Sequence, residues 1–306
     1  MLTRELLKTL KSTEWEELNR FLPFRFPRMR GDILLGLNAF KKNQSDSISR
    51  NDVHLWLYPQ KPFDDKVIRY LLTDINKVVF EYFSFKQLTK QPQKQQSLLL
   101  QELSDRKCNR AFDKTYNQEL NRAETQGHVD SDALHYRYEL YSLKAKEELD
   151  SGKRSSDVFE ESSLFLDLYF VAKKLQISAE KINLNFILKK EWNDPFLKTI
   201  LEQIDNGLFN DSPYIKLYRS IVQSLTEPDN EAVFETLKTE IPTLINQLSE
   251  SELSDLYQYL LNYCIRRINA GRLVFQNELL AVYQNALSDG ALFTNGSISQ
   301  WDFKNI

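Results

Sequence analysis

The chain has 306 residues, of which 42% are hydrophobic and 12% aromatic, and its net charge at pH 7 is −3. This composition supplies enough apolar side chains for a real core and disfavours wholesale disorder. The small net charge disfavours general polyanion binding, although residues 1–126 carry a balance of +6 and residues 127–306 a balance of −9.

The N-terminal segment, the length of the apolar stretches and the two cysteines indicate the class of protein. The N-terminal segment contains acidic residues and no continuous apolar stretch, so it does not read as a signal peptide. No stretch reaches the ~18 apolar residues that a membrane span needs. Cys108 and Cys264 are far apart and isolated from other ligand types, which disfavours a disulfide framework or a zinc site. We therefore predict a cytoplasmic protein without contact to a membrane.

Glycine and proline are rare, with 8 and 9 copies, and most stand where a helix would begin or end. In the first part, the apolar spacing predicts helices over 3–21, 31–42, 50–57 and 64–86, and then, after a break at Pro92, a long polar helix over 93–126. Capping boxes are predicted at Thr13 with Glu16 and at Ser49 with Asp52. Residues 1–126 are thus predicted to form an N-terminal helical subdomain whose last helix bridges the two halves, with a soft boundary near 127–130.

The second part reads as hairpins of two helices. The predicted pairs are 131–151 with 157–176, 180–190 with 194–206, 212–226 with 230–248, and 251–270 with 273–289, with a bend at Pro242. Segment 164–171 (LFLDLYFV) is apolar on more than one face, which predicts neighbours on both sides. Because no hairpin covers its own apolar faces, residues 127–306 are predicted to stack into a right-handed α-α superhelix. The fold class is therefore all-α.

Stacked helical hairpins of this size resemble tetratricopeptide-like α-solenoids, although no window meets that family's pattern of Trp, Leu-Gly, Tyr, Ala, Phe and Pro. The chain also resembles a group of uncharacterised bacterial all-helical proteins. The tracts that carry this resemblance are 57–83 (LYPQKPFDDKVIRYLLTDINKVVFEYF), 261–271 (LNYCIRRINAG) and 297–306 (SISQWDFKNI). The resemblance implies a fold and no catalytic activity. In that group further helices follow the last tract, so we expect 297–306 to begin a helix and the native chain to continue beyond Ile306.

No catalytic or metal-binding constellation stands out. Asp64 and Asp65 could hold Mg²⁺, but adjacent carboxylates are also favoured in the first turn of a helix, and helix capping is the preferred interpretation. The histidines His54, His128 and His135 lack partners for a tetrahedral site or for acid–base catalysis. We therefore predict no enzyme activity and no cofactor.

Two basic segments are candidate nucleic-acid contacts. The segment 22–32 (LPFRFPRMRGD) interleaves Phe24 and Phe26 with Arg25, Arg28 and Arg30, a pattern that grips phosphates or bases. The alternative, which we favour, is that both phenylalanines pack under the first helices while the arginines stay solvated.

Residues 48–83 have the outline of a helix-turn-helix, with a short helix, a turn and a longer helix. Basic and polar side chains at 66, 69, 76 and 77 could face a groove. The turn is longer than usual, and acidic residues on or near the same helix oppose those side chains. The side chains that could face a groove are Lys66, Arg69, Asn76 and Lys77. The acidic residues that oppose them are Asp64, Asp65, Asp74 and Glu81.

The preferred function is a non-enzymatic helical scaffold that binds a protein or peptide. Tyr136 and Tyr263 lie off the main apolar stripes and are predicted, with Arg25, Arg28 and Arg30, to contact this partner. The alternative is a nucleic-acid-binding regulator that uses residues 48–83; salt dependence of binding separates the two.

Overall fold

The computed structural model describes residues 1–43, 47–153, 157–188, 194–294 and 297–298. In these ranges the chain is helical apart from one pairing of two short strands, which confirms the prediction of an all-α fold. The elements are α1 (Leu2–Lys8), α2 (Ser12–Arg25), α3 (Gly31–Lys42), α4 (Arg50–Leu57), α5 (Asp65–Thr89), α6 (Pro92–Asp105), α7 (Asn109–Gln126), α8 (Ser131–Asp150), α9 (Asp157–Leu188), α10 (Pro195–Asp205), α11 (Pro213–Thr226), α12 (Glu231–Leu244), a 3₁₀ turn (Ile245–Gln247), α13 (Glu250–Asn269), α14 (Phe275–Ser288), β1 (Phe293–Thr294) and β2 (Ser297–Ile298).

The chain forms two compact units, Met1–Gln95 and Gln96–Ile306. The division lies inside α6, ahead of the boundary that we expected near 127–130. The reason is packing, because Phe112 and Tyr116 of α7 form a buried cluster with Tyr136 and Leu140 of α8. Residues 96–126 therefore belong with the second unit.

In the first unit, α5 is the helix against which α1, α2, α3 and α4 pack. Its N-cap is Asp64, whose Oδ1 accepts hydrogen bonds from the backbone N–H groups of Lys66 (2.9 Å) and Val67 (3.2 Å). This confirms helix capping as the role of Asp64. At Gly36 of α3 a Cβ would lie 2.8 Å from Cδ1 of Ile75, so α3 approaches α5 closely only because residue 36 has no side chain.

Several helix boundaries follow the predicted signals. The capping box of α4 is confirmed, since Ser49 N donates to Asp52 Oδ2 (2.7 Å) and Asp52 N donates to Ser49 Oγ (3.2 Å). The predicted box at Thr13 and Glu16 is wrong. The helix over 3–21 is divided between α1 and α2, and Lys11 N donates instead to Glu14 Oε2 (2.7 Å) at the start of α2.

The long helix predicted over 93–126 is also divided. Lys107, with φ of 56°, ends α6 in the left-handed conformation. Lys107 N donates to Ser104 O and Cys108 N donates to Leu103 O, which closes the last turn of α6. Because this position usually carries glycine and here carries lysine, the sequence offers no stop signal.

In the second unit the prediction divided a helix that is continuous in the structure. The predicted helices 157–176 and 180–190 are one helix, α9, which runs through Ser178 and Ala179 because both are buried in the core. The end of the predicted helix 180–190 and the turn after it include residues 189–193, which lie outside the described residues. Pro242 lies in the last turn of α12, and the chain passes into the 3₁₀ turn at Ile245.

Helices α8 and α9, α11 and α12, and α13 and α14 pack as consecutive pairs, and α9 also packs on α11. Two contacts bypass this order: Ser249 N donates to Asp130 Oδ2 (3.0 Å), and Gln176 Nε2 donates to Glu252 Oε2 (3.1 Å). The start of α13 thus touches the start of α8 and the middle of α9. Strictly sequential stacking does not describe these contacts, and a right-handed superhelix stays a prediction.

The end of the described chain differs from the expected helix at 297–306. Phe293 pairs with Ile298 and Thr294 with Ser297 as two antiparallel strands. Residues 299–306 lie outside the described part of the chain.

Candidate functional site

Helix α9 is apolar on two opposite faces. One face carries Val171, Ala172, Leu175 and Ala179, which are buried in the main core of the second unit. The opposite face carries six large apolar side chains that are between 41% and 58% exposed. They are Phe159, Leu166, Phe170, Ile177, Leu184 and Leu188, and we call them the outer apolar face of α9.

These six residues form a straight row. At about 100° of rotation per residue, they lie within about 20° of one line parallel to the helix axis. The row spans about 43 Å at 1.5 Å per residue. Single exposed apolar residues are ordinary, but six aligned on one side of a helix are typical of an interaction surface. The segment 164–171 was predicted to have neighbours on both faces, and the structure leaves Leu166 and Phe170 open.

Buried polar contacts fix the inner side of α9. The carboxylate of Glu252 accepts hydrogen bonds from the hydroxyls of Tyr214 (2.8 Å) and Tyr218, and from Gln176 Nε2 (3.1 Å). Burial raises the pKa of Glu252, although the bonds from Tyr218 and Tyr214 work in the opposite direction. These hydrogen bonds connect α9, α11 and α13, so the inner side of α9, opposite the outer apolar face, is fixed in the core.

One flank of the outer apolar face is basic. Asp194 Oδ1 accepts from Lys174 Nζ (2.6 Å), and Asp194 Oδ2 accepts from Lys181 Nζ (3.3 Å) and Ser178 Oγ (3.0 Å). Burial works against ionisation of Asp194, but these hydrogen bonds lower its pKa to about 2. The carboxylate therefore stays charged and ties the start of α10 to α9. Beside it, the ring of Phe196 meets Phe170 edge to face, with centroids 5.8 Å apart.

The other flank is a shallow cleft of about 230 Å³ between α9 and α13. Glu180, Asn183 and Leu184 line it from α9, and Asp255, Gln258 and Tyr259 line it from α13. Burial and the charge of Glu180 raise the pKa of Asp255. Because Lys173 stands at the same edge of α9 as Glu180, this flank carries both signs of charge.

The arginines of the segment 22–32 are spread over different partners. Arg25 Nε lies 2.7 Å from Glu81 Oε2, and Arg30 binds Asp32 and Asp74. Arg28 is exposed, with no ion pair among the residues that the structure describes. Of the phenylalanines, Phe26 packs against the core as predicted, but Phe24 is 83% exposed.

Tyr136 and Tyr263 do not lie in a groove. They are 4% and 2% exposed, and their hydroxyls donate to Glu119 Oε2 and to the carbonyl of Pro228, both at 2.8 Å. The structure thus corrects their predicted position at a partner-binding surface. Their apolar rings fill the core and their hydroxyls find acceptors inside it, as buried tyrosines usually do.

The helix-turn-helix outline at 48–83 corresponds to α4 and α5. Asp65 pairs with Arg50 (2.8 Å) and with Arg69 (3.1 Å), and Asp74 pairs with Lys77 (3.6 Å). Asn76 is half-buried, and its Oδ1 lies inside the protein. Acidic partners on α5 therefore compensate two of the cations that would have faced DNA.

No group of three or more His, Cys, Asp or Glu side chains suited to a metal is present in the described ranges. His54 is buried beside Tyr58 and Phe63, and His135 packs on Tyr169 with centroids 4.6 Å apart. The first unit has a larger cavity of about 420 Å³, floored by apolar residues such as Trp15 and Phe40. Arg4 and Lys8 at its edge each have an interaction of their own.

No helix in the described ranges joins the length and the apolar content needed to cross a bilayer. The sequence did contain the signal for the outer apolar face, because the residue numbers 159, 166, 170, 177, 184 and 188 repeat in steps of four and seven. Comparison with family profiles, with curated proteins and with solved structures gives no match for this chain.

Proposed function

We propose that the protein is a non-enzymatic helical scaffold that binds a protein partner on the outer apolar face of α9. The observation that carries this proposal is the row of six large apolar side chains on the side of the helix opposite its core. A stable folded chain gains nothing from exposing such a row to water, whereas burial of apolar surface drives protein association.

The surroundings of the row support a docking role. Its base is held by hydrogen bonds from three helices, so little ordering is required when a partner binds. Its rim is polar, with Lys174 and Asp194 on one side and Glu180 and Asp255 on the other. An apolar centre with a polar rim is the usual anatomy of protein interfaces.

The compartment proposed for this function is the cytoplasm. Cys108 is an exposed free thiol, and Cys264 is a buried one. An exposed unpaired thiol is compatible with a reducing environment. The predicted nucleic-acid-binding alternative would use α5, where Asp65 and Asp74 compensate Arg69 and Lys77.

The test is capture of binding proteins from the native cell by the wild-type chain and by two matched variants. The double variant Ile177→Glu with Leu184→Glu places charges in the middle of the row. The control Leu280→Glu changes a leucine of α14 that is 53% exposed. Circular dichroism checks that both variants are folded.

We expect the control variant to retain the proteins, including further copies of the chain, that the wild type captures, and the double variant to lose them. Capture that is equal in all three chains would overturn the proposal. Recovery of nucleic acid with an affinity that falls steeply with salt would favour the alternative instead.

A further inference from the structure

The outer apolar face of α9 has a symmetric order of residues. Measured from Ile177, Phe170 and Leu184 lie seven residues away on either side, and Leu166 and Leu188 lie eleven residues away. All five are more than 40% exposed and lie on one line of the helix. Only Phe159, at the N-terminal end of the row, has no counterpart in this set.

Such a symmetric order of residues is expected when the partner is an identical helix. When two identical helices pack antiparallel about a two-fold axis, the residue n positions before the axis meets the residue n positions after it in the other copy. A partner of different sequence places no such condition on the spacing. On the condition that this face docks a protein, as proposed above, we propose that its occupant is a second copy of this chain, packed α9 to α9 in antiparallel orientation with Ile177 at the two-fold axis.

In this arrangement every contact along the row is apolar. Ile177 meets Ile177 of the second copy, and Phe170 meets Leu184. Leu166 meets Leu188, which closes the row at both ends. The paired row from Leu166 to Leu188 has five apolar residues in each copy and is about 33 Å long, so the contact extends over about six turns of each helix.

The charges on the cleft side fit the same orientation. Lys173 and Glu180 stand on the same side of the row, four residues before Ile177 and three residues after it. A two-fold axis at Ile177 therefore brings Lys173 of one copy opposite Glu180 of the other, and it does so twice. Charges beside an apolar seam set partner choice and orientation in this way in coiled coils.

On the other side, the axis brings Lys174 near Lys181 of the second copy. These two lysines would repel each other if they stood alone. In each copy, however, Asp194 lies 2.6 Å from Lys174 and 3.3 Å from Lys181, so a carboxylate accompanies each pair. The basic flank is thereby reduced to a single net positive charge per copy.

Disulfide trapping tests both the contact and its orientation. A disulfide requires Cα atoms roughly 4.4–6.8 Å apart, a separation that helices in direct contact provide at their interface. The exposed Cys108 is first replaced with Ser, while Cys264 stays because it is buried. Three single variants, Ile177→Cys, Leu166→Cys and Leu188→Cys, are then made in this background, with Leu280→Cys on α14 as the control.

We expect the wild type to sediment as a dimer at about 10 µM, and Ile177→Asp to weaken the dimer by about 100-fold or more, because it places two carboxylates at the axis. Ile177→Cys forms a disulfide-linked dimer under mild oxidation, and the Leu280→Cys control does not. When two chains of different tag length are mixed, Leu166→Cys joins to Leu188→Cys more than to itself.

Three outcomes would overturn the proposal: a wild type that stays monomeric at about 100 µM, a yield from Ile177→Cys no greater than that of the control, or preferential joining of Leu166→Cys to itself, which indicates parallel packing. A monomeric wild type whose captured proteins are lost in the Ile177→Glu with Leu184→Glu variant would overturn the dimer and leave the docking function standing. If that variant also retains every captured protein, the docking function fails as well.

Discussion

The longest helices of the two units, α5 and α9, differ in how apolar residues are arranged on their solvent-exposed sides. Both bury one face, and both expose several large apolar residues. On α5 these residues, Val67, Tyr70, Phe80 and Phe85, are spread over about 140° of the helix surface. On α9 the six residues of the outer apolar face share one line. Four exposed apolar side chains are thus spread around α5, whereas six of those on α9 are aligned and Leu164, which is 44% exposed, lies on another side of the helix.

The polar groups differ in the same way. Ion pairs along α5 connect it to the rest of its own unit, from Asp65 with Arg50 to Asp74 with Arg30 and Glu81 with Arg25. On α9 the centre of the outer face holds only apolar side chains, and Lys174 and Lys181 stand beside it. Because Lys174 and Lys181 also pair with Asp194 inside their own unit, the two helices differ mainly in the alignment of their exposed apolar side chains, and this alignment is the basis of the proposed binding of a partner.

The largest effect is expected on the inner face of α9. Leu175 is fully buried, so Leu175→Ala removes apolar contacts and leaves a cavity. We expect the free energy of unfolding to fall by about 2–5 kcal/mol. Urea denaturation followed by circular dichroism measures this loss. A loss below about 1 kcal/mol would indicate that the inner face does not anchor the helix.

The next effect concerns the buried carboxylate that joins α9, α11 and α13. Glu252→Ala leaves the hydroxyls of Tyr214 and Tyr218 without their acceptor, which costs about 2–4 kcal/mol for the two groups. Glu252→Gln keeps one oxygen for the tyrosines and is expected to cost less. Denaturant midpoints of the two variants provide the comparison, and an equal loss in both would mean that the hydroxyls do not depend on this oxygen.

Glu252 also gives the second unit a pH dependence. Because burial raises its pKa in the folded state, the folded chain binds the proton more tightly than the unfolded chain. The contribution of Glu252 to stability therefore falls as the pH rises from the ordinary glutamate value near 4.5 toward the raised value. Urea denaturation at a series of pH values measures this slope, and Glu252→Gln is expected to remove it. An unchanged slope in the variant would assign the dependence to other groups.

Some of these structural features could be predicted from the sequence, and others could not. Caps such as Ser49 and Asp64 and the breaks at Gly127 and Gly271 could be read directly, because those residue types solve a local backbone problem. The end of α6 at Lys107 could not, since a lysine in the left-handed conformation has no sequence signature. Glu252 lies in the first turn of α13, and only tertiary packing places its carboxylate among tyrosines from another helix.

Only part of the candidate site could be predicted from the sequence, because the exposure of a helix face depends on tertiary packing. The pattern in 164–171 showed that α9 is apolar on two faces, but periodicity alone cannot say whether a second face is covered. The answer depends on where the helices that pack on α9, such as α8 and α11, are placed in three dimensions. Tyr136 and Tyr263 were misplaced by the same limit, since a tyrosine off the main stripe is buried whenever an acceptor lies inside the core.

A smaller effect is expected in the first unit. Lys86 of α5 pairs with Glu14 and lies near Glu17, and both members of the first pair are partly buried. Lys86→Met is expected to lower stability by about 0.5–1 kcal/mol. A backbone hydrogen bond from Lys11 and the bond from Lys86 lower the pKa of Glu14, so its contribution is lost as the pH falls, the reverse of Glu252. Urea denaturation at pH 7 and near pH 4 tests the sign, and a loss that grows at low pH would contradict it.

The smallest effect is the one that separates the two faces of α9 most sharply. Ile177 lies two residues from Leu175, but it is 45% exposed and points away from the core. We expect Ile177→Gln to change the free energy of unfolding of the isolated chain by less than about 0.5 kcal/mol. The measurement has to be made well below the concentration at which copies associate, because association adds to apparent stability. A residue kept apolar for its own fold would cost more when it is made polar. A negligible cost, together with loss of binding in the same variant, would mean that the row serves contacts outside the unit, whereas a loss comparable to that of Leu175→Ala would assign it to the core.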